Sequence, residues 1–170
     1  QDKPHSTYLV SLVAGDFERR EEKWKDVPLR YYVPPGQSSN IPHTFGRTAN
    51  MMEFFSTNIA PYPWAQYAQT PVEDFLYGGM ENTSATLHGD FAVYQTTREM
   101  IDGKKGTDII AHELFHQWFG DLVTCESWSN LPLNESFATY GEYLWEEYKN
   151  GRDAADQHHL VAGGLDHDVG

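Results

Sequence analysis

Two histidines four residues apart, His112 and His116 in the segment HELFH, have a spacing that suggests metal chemistry. On a helix they would lie on one face about one turn apart, so two imidazole nitrogens can reach a single ion. Glu113 would lie roughly 100° around the helix from His112. There it is too far round to coordinate the same ion together with the histidines, but near enough to reach a metal-bound water. The plain alternative is two polar residues on an amphipathic helix, and chance gives this pattern in a chain of this size about once in a hundred cases.

A catalytic zinc site uses three protein ligands and keeps one position open, so a third ligand should lie downstream. Glu135 follows His116 by 19 positions and opens a second predicted helix, which can pack across the first. Asp121 and Glu126 are nearer in sequence, but they are predicted to lie at a helix end and in a loop, where a ligand is harder to hold. Glu135 is therefore the preferred third ligand.

Two more residues of the second helix, Thr139 and Glu142, fall on roughly the same face as Glu135. From there either side chain can orient a ligand histidine by accepting a hydrogen bond from its other ring nitrogen. A solvated or packing role is equally compatible with these positions.

Two helices must position these residues. The segment TDIIAHELFHQWFGDLV, residues 107–123, carries apolar residues at helical spacing all round and predicts a buried helix with Thr107 as N-cap. The second helix is predicted from Asn134 as N-cap to Asn150, with Gly151 as its stop signal.

The preceding part of the chain is predicted to be mainly β-structure. Residues 6–17 and 28–35 are rich in β-forming residues, and short β-like runs punctuated by glycine extend from 67 to 94. One helix is predicted between them, with Ala49, Met52, Phe55 and Ile59 on its buried face. We therefore expect an α+β fold with a β-rich sublobe at 1–105 and a helical zinc-binding part at 106–170.

Composition excludes several classes of protein. The 170 residues, of which 39% are hydrophobic, suffice for one substantial core. The net charge of −13 and the lack of a Lys/Arg-rich run argue against a nucleic-acid partner. No apolar run approaches the roughly 20 residues of a transmembrane helix. The single cysteine, Cys125, cannot form an internal disulfide and is predicted to be a small buried apolar residue; compartment and oligomeric state stay open.

Three motifs together resemble one enzyme family. In this chain they are the upstream YGGMEN at 77–82, HELFHQWFGDLVT and the downstream NESFATY. Similar motifs, in the same order and spacing, are found in the zinc aminopeptidases of the M1 family. STYLVSLVAGDF also resembles the entry to that family's thermolysin-like catalytic domain. The resemblance implies that His112, His116 and Glu135 bind one Zn²⁺ and that Glu113 is the general base.

The resemblance also implies a substrate site in the GGMEN segment. Glu81 would hold the free α-amino group of a peptide, while the backbone of Gly78, Gly79 and Met80 pairs with the peptide as an added strand. Asn82 completes this substrate-binding segment. The implied function is removal of N-terminal residues from peptides that have a free N-terminus, because an acetylated terminus cannot pair with Glu81.

The sequence departs from the family in ways that leave alternatives open. GGMEN replaces the commoner GAMEN, as in members resembling leukotriene A4 hydrolase, so epoxide hydrolase chemistry is one alternative. Ser136 stands where glycine is usual. The family's oxyanion-stabilising tyrosine would lie beyond Gly170, so we expect a catalytic-domain fragment with weak or no activity alone. A catalytically silent, zinc-stabilised peptide-binding module is a further alternative, against which the presence of Glu113 argues.

Overall fold

A five-stranded mixed sheet occupies the first part of the computed structural model, which describes residues 3–90 and 107–165. Its strands are β1 (Glu18–Trp24), β2 (Val27–Val33), β3 (Tyr67–Val72), β4 (Gly79–Met80) and β5 (Ala85–Gly89). The order across the sheet is β1-β2-β3-β5-β4. β3 is parallel to both neighbours, whereas the outer pairs β1–β2 and β4–β5 are antiparallel. The two-residue strand of the GGMEN segment is therefore an edge of this sheet.

The predicted strand at 6–17 is wrong. Thr7–Leu9 form a 3₁₀ turn, and the chain then runs without regular structure to β1. The high β-propensity of this segment is not matched by a pairing strand among the described residues, and Leu12 is 93% exposed. The predicted second strand is confirmed as β2, whose alternate residues Leu29, Tyr31 and Val33 enter the core.

The charged segment ERREEKW forms β1, which the sequence analysis did not predict. It pairs with β2 on one side, and its five central residues are exposed, so it needs no apolar alternation. Charge pairs across the ladder support it, as when Arg30 Nε of β2 donates to Glu21 Oε2 at 2.9 Å. Charged edge strands of this kind also discourage pairing with other chains.

In the described part of the chain, five α-helices accompany the sheet: α1 (Ile41–Thr44), α2 (Thr48–Asn58), α3 (Thr107–Phe115), α4 (Pro132–Asn150) and α5 (Arg152–Leu165). The predicted helix before residue 60 is confirmed as α2, and Met52 and Phe55 are buried as expected. Ile59 is instead 38% exposed, because it lies beyond the last helical residue, while Met51 is buried.

The histidine helix α3 is shorter than the predicted 107–123. After Phe115 the hydrogen bonds tighten, with Gln117 N–H donating to Leu114 O, and the chain turns at Gly120, whose φ is 131°. The Asp121 N–H then donates back to the His116 carbonyl at 3.0 Å. A positive φ is open to glycine and strained for other residues, so Gly120 helps end the helix.

The glutamate helix begins two residues before its predicted N-cap. Pro132 is the first residue of α4, a position where its fixed φ suits a helix and its missing N–H is not needed. Asn134 is therefore inside the first turn, where it is fully buried. The predicted stop at Gly151 is confirmed by its φ of 88° after the last helical residue.

One core joins the sheet to the helices. Phe115 of α3 packs edge-on against Phe55 of α2, with ring centroids 5.0 Å apart, and Trp145 of α4 belongs to the same cluster as Leu29 of β2. The fold is α+β as expected, whereas the division between 1–105 and 106–170 stays a prediction. Across residues 3–90 and 107–165, none of the helices has the length and apolarity that crossing a bilayer requires.

Candidate active site

The two histidines meet the predicted third ligand where α4 crosses the end of α3. Nε2 of His112 lies 3.3 Å from Oε2 of Glu135, and Nε2 of His116 lies 3.6 Å from the same oxygen. The imidazole centroids are 4.7 Å apart. One nitrogen from each ring and one carboxylate oxygen thus lie within 4.8 Å of one another, so the fold brings together three groups that can hold a metal ion.

The opposite nitrogen of each imidazole is held by an acceptor. Nδ1 of His112 lies 2.5 Å from Oε1 of Glu142, and Nδ1 of His116 lies 2.9 Å from the carbonyl oxygen of Phe119. Because a carbonyl can only accept, His116 must donate from Nδ1, which leaves the Nε2 lone pair facing Glu135 when the ring is neutral. Metal-binding histidines commonly have such a partner behind the ring.

Glu142 is thus placed where the sequence analysis expected an orienting group. Thr139, the other candidate, is half-buried one turn earlier on α4, and the described contacts of the His112 ring nitrogens are with the two glutamates. The orienting role suggested for Thr139 stays a prediction.

Charge coupling links the histidines to Glu135. Burial disfavours the charged form of His112, but its hydrogen bonds to Glu135 and Glu142 prevail and raise its pKa to about 10. The same balance of burial and the Glu135 contact raises the pKa of His116, while both histidines hold the pKa of Glu135 well below its ordinary value. The arrangement of two imidazoles around one carboxylate therefore favours positive charge between them, whether a proton or a cation supplies it.

Glu113 is buried beside this cluster, with 3% of its surface exposed. A Cβ at Gly79 would lie 2.2 Å from Glu113 Oε1, so the carboxyl occupies the space that any side chain at position 79 would need. Its Oε2 is buried and has no hydrogen-bond partner among the residues that the structure describes. Burial, opposed by His112 and His116, raises the pKa of Glu113 to about 7, so this group can exchange a proton near neutrality.

Glu81 lies directly after β4 and is 7% exposed. Its side chain, that of Glu113 and that of His116 form a second group whose ligand atoms lie within 4.8 Å of one another. Gly78 is exposed, and its carbonyl accepts a hydrogen bond from Gly89 N–H at 3.0 Å, which ties the GGMEN segment to β5. The edge of β4 thus leads directly to two buried carboxyl groups.

Asn82 plays a different part from its neighbours in the predicted substrate segment. Its side chain is 4% exposed and donates from Nδ2 to the carbonyl oxygen of Leu9 at 3.1 Å. The amide therefore anchors the amino-terminal turn, while Gly79 and Met80 form the half-buried edge strand.

Sequence reasoning missed several residues around the site. The Phe119 carbonyl behind His116 has no signature, because any residue type supplies a carbonyl. Asp121, which its position in the sequence offers only as an alternative ligand, is 1% exposed. Its burial, and next the charge of Glu81, raise its pKa to about 9. Cys125, predicted to be buried, is a half-buried free thiol. Contacts of Tyr8 and Asn134 with the site also had no local signal.

The sequence matches known proteins over most of its length. Residues 43–165 match the peptidase family M1 domain. The chain is similar to aminopeptidase N of Canis lupus familiaris, at 35% identity over 149 residues, or 84% of this chain and 15% of the relative. Endoplasmic reticulum aminopeptidase 1 of Homo sapiens is 34% identical over 82% of the chain and 15% of the relative. Aminopeptidase M1 of Arabidopsis thaliana is 36% identical over 82% of the chain and 16% of the relative.

The chain thus spans about one sixth of the length of the curated relatives it matches. Its matched region nevertheless includes the histidine pair, Glu135 and the GGMEN segment. On this similarity the chain belongs to peptidase family M1.

Proposed function

We propose that this protein is a zinc-dependent aminopeptidase that removes N-terminal residues from peptides with a free amino terminus. The observation that carries the proposal is the convergence of His112 Nε2 and His116 Nε2 on Glu135 Oε2, beside the buried carboxyl groups of Glu81 and Glu113. The names of the relatives, all aminopeptidases, agree with it.

The residues at the convergence suit zinc. Two imidazole nitrogens and one carboxylate oxygen are donors that Zn²⁺ prefers in catalytic sites, and three protein ligands leave a position open. Glu142 and the Phe119 carbonyl hold the rings from behind, which supports two neutral ligands with Nε2 free. The ion would be held by His112, His116 and Glu135. The chemistry that zinc supplies when bound is Lewis acidity toward water and a carbonyl oxygen.

Glu113 is suited to move a proton in such a reaction. Its Oε2 has no partner within residues 3–90 and 107–165. Its pKa, raised to about 7 by burial, allows it to take a proton from water and later donate it to the leaving amine. A purely binding protein would not need a buried carboxyl held in this way. The silent-module alternative is therefore the weaker of the two.

Glu81 and β4 are suited to bind the peptide. Glu81 presents a carboxylate at the end of the edge strand, where a peptide lying along Gly79 and Met80 would bring its α-ammonium group. Main-chain hydrogen bonds hold a peptide of any sequence, whereas the carboxylate selects the charged terminus. Cleavage is then confined to the first peptide bond.

Zinc binding is tested by elemental analysis of the dialysed chain. We expect about one zinc per chain in the wild type and markedly less in Glu135→Ala, because the variant loses one of three ligands. Glu126→Ala is the matched control, since this exposed glutamate lies close in sequence but outside the cluster. A folded wild type that retains no zinc would overturn the proposed site in this chain.

Specificity is tested on the full-length protein with a peptide and its N-acetylated form. We expect hydrolysis of the free peptide alone, and loss of this preference in Glu81→Ala, with Glu73→Ala as an exposed control. Equal cleavage of both peptides by the wild type would indicate an endopeptidase. Peptide binding without turnover would support the silent module.

A further inference from the structure

Tyr8 connects the amino-terminal turn to Glu81. Its hydroxyl group donates to Glu81 Oε1 at 3.0 Å, across 73 positions of sequence. Asn134 Nδ2, on the helix that carries Glu135, lies 3.2 Å from the same hydroxyl oxygen. A hydrogen-bonded chain therefore runs from the α4 helix through Tyr8 to the carboxylate at the end of β4.

The direction of these hydrogen bonds follows from a backbone contact. Asn134 Oδ1 accepts the Cys125 N–H at 3.1 Å, and a backbone N–H can only donate, so the orientation of the amide is set. Asn134 Nδ2 must then donate to the Tyr8 oxygen. The only proton of the Tyr8 hydroxyl is left for Glu81, so Glu81 Oε1 is an acceptor.

The position of Tyr8 is itself restrained on both sides. The next residue, Leu9, is 2% exposed, and its carbonyl accepts the Asn82 side chain at 3.1 Å. The Tyr8 ring packs edge-on against Trp128, with centroids 5.1 Å apart. Burial and the adjacent Glu81 charge raise the pKa of Tyr8 far above its ordinary value, so the phenol keeps its proton.

We propose that Tyr8 is a positioning residue that holds the Glu81 carboxylate in the orientation that receives the α-ammonium group of the peptide. This inference rests on the proposed function, because it assigns Tyr8 a role through Glu81. With Oε1 tied to Tyr8, the carboxylate has one preferred rotation, and its other oxygen lone pairs are left for the substrate. Without the Tyr8 hydrogen bond, the Glu81 carboxylate must be ordered each time a substrate binds, and this ordering opposes binding.

The contact between carboxylate and ammonium exists both before and during the reaction. Weakening it should therefore raise KM and leave kcat nearly unchanged. A hydrogen bond to a charged group supports an effect on the order of tenfold in KM for Tyr8→Phe. Zinc content should not change, since Tyr8 contacts none of the three proposed ligands among the described interactions.

The test is a double-mutant cycle in the full-length protein. KM and kcat for an alanine p-nitroanilide substrate are measured in the wild type, Tyr8→Phe, Glu81→Ala and the double variant. Titration calorimetry with L-alaninol and N-acetyl-L-alaninol, which lack the scissile carbonyl, gives binding without turnover. Tyr148→Phe is the matched control, because this tyrosine is 67% exposed at the far end of α4.

We expect Tyr8→Phe to weaken binding of L-alaninol about tenfold in the wild-type background and not at all when Glu81 is already alanine. An equal effect in both backgrounds, or a loss of zinc or of the melting transition in Tyr8→Phe, would make Tyr8 a structural residue and overturn the inference.

Failure of the inference differs from failure of the proposed function. If Glu81→Ala abolishes the preference for a free amine while Tyr8→Phe behaves as the wild type, only the role of Tyr8 is wrong. If the wild type does not distinguish L-alaninol from its N-acetylated form, the role of Glu81 is wrong and that of Tyr8 fails with it.

Discussion

Oε1 of Glu142 lies 2.5 Å from Nδ1 of His112, while Oε2 of Glu135 faces Nε2 of the same ring at 3.3 Å. Both glutamates belong to α4, about two turns apart. One helix therefore contacts the two nitrogens of one imidazole, and the ring has little freedom to rotate. The helix that offers one candidate ligand, Glu135, therefore also contacts the ring of another, His112, from behind.

Removing Glu142 should weaken zinc binding without abolishing it. Loss of the acceptor behind a ligand histidine typically costs about 10- to 100-fold in metal affinity. We expect Glu142→Ala to show a decrease of this size when zinc is titrated against a competing chelator. Glu147→Ala, on the same helix but outside the histidine contacts, is the control. Equal affinities in the wild type and Glu142→Ala would mean that the contact does not orient the ring.

Gly120 should be needed for the position of His116. A Cβ at Gly120 would lie 2.9 Å from His116 Nδ1, and its φ of 131° is strained for other residues. We expect Gly120→Ala to lose about 1–3 kcal/mol of unfolding free energy and also to bind zinc less tightly. Urea unfolding and chelator competition measure the two effects.

Gly36→Ala separates these effects. Gly36 also has a positive φ, 84°, but a Cβ there would meet nothing within 4 Å. We expect this variant to lose stability through backbone strain alone and to keep its zinc affinity. If Gly120→Ala also lost stability but kept its zinc affinity, the close approach of position 120 to His116 would not affect zinc binding.

Gly141 should be needed for the crossing of α3 and α4. A Cβ there would lie 2.5 Å from Cγ of Phe115, a ring in the core. Gly141→Ala gains helix propensity, yet overpacking should make the net change a loss of about 1–3 kcal/mol. Thermal and urea unfolding test this, with the exposed Ser136→Ala on the same helix as control. Unchanged or increased stability would show that the helices separate at little cost.

His88 should make the metal-free chain sensitive to acid. Burial lowers its folded-state pKa to about 3, against an ordinary value of 6.5. Between these values the unfolded chain binds more protons, so stability falls as pH is lowered, by at most ~1.4 kcal/mol per pH unit from this residue. Above pH 6.5 the contribution is fully present.

The comparison of His88→Gln with the wild type measures this contribution. In a chelator-treated sample we expect the variant to show a shallower decline in unfolding free energy from pH 6.5 toward 3, whatever its stability at neutral pH. The exposed His43→Gln should keep the wild-type slope. Parallel curves of unfolding free energy against pH for all three proteins would show that His88 takes up its proton as readily in the folded chain as in the unfolded chain.

The sequence by itself determined the residue types that can do chemistry and the elements whose signals are local. His112 and His116 lie one helical turn apart wherever their segment is helical, and α2, β2 and the stop at Gly151 follow from periodicity, β-propensity and glycine. Glu135 and Glu142 share a face of α4 because they are seven residues apart on a helix.

Only the tertiary structure decided features that depend on distant partners. Residues 6–17 have the propensity of a strand, but a strand needs a neighbour, and the charged segment at 18–24 pairs with β2 instead. Three further features arise where separate segments meet: the end of α3, the Phe119 carbonyl behind His116, and the contact of Tyr8 with Glu81. Local sequence encodes propensity and chemistry, whereas pairing and burial depend on which segments the whole fold brings together.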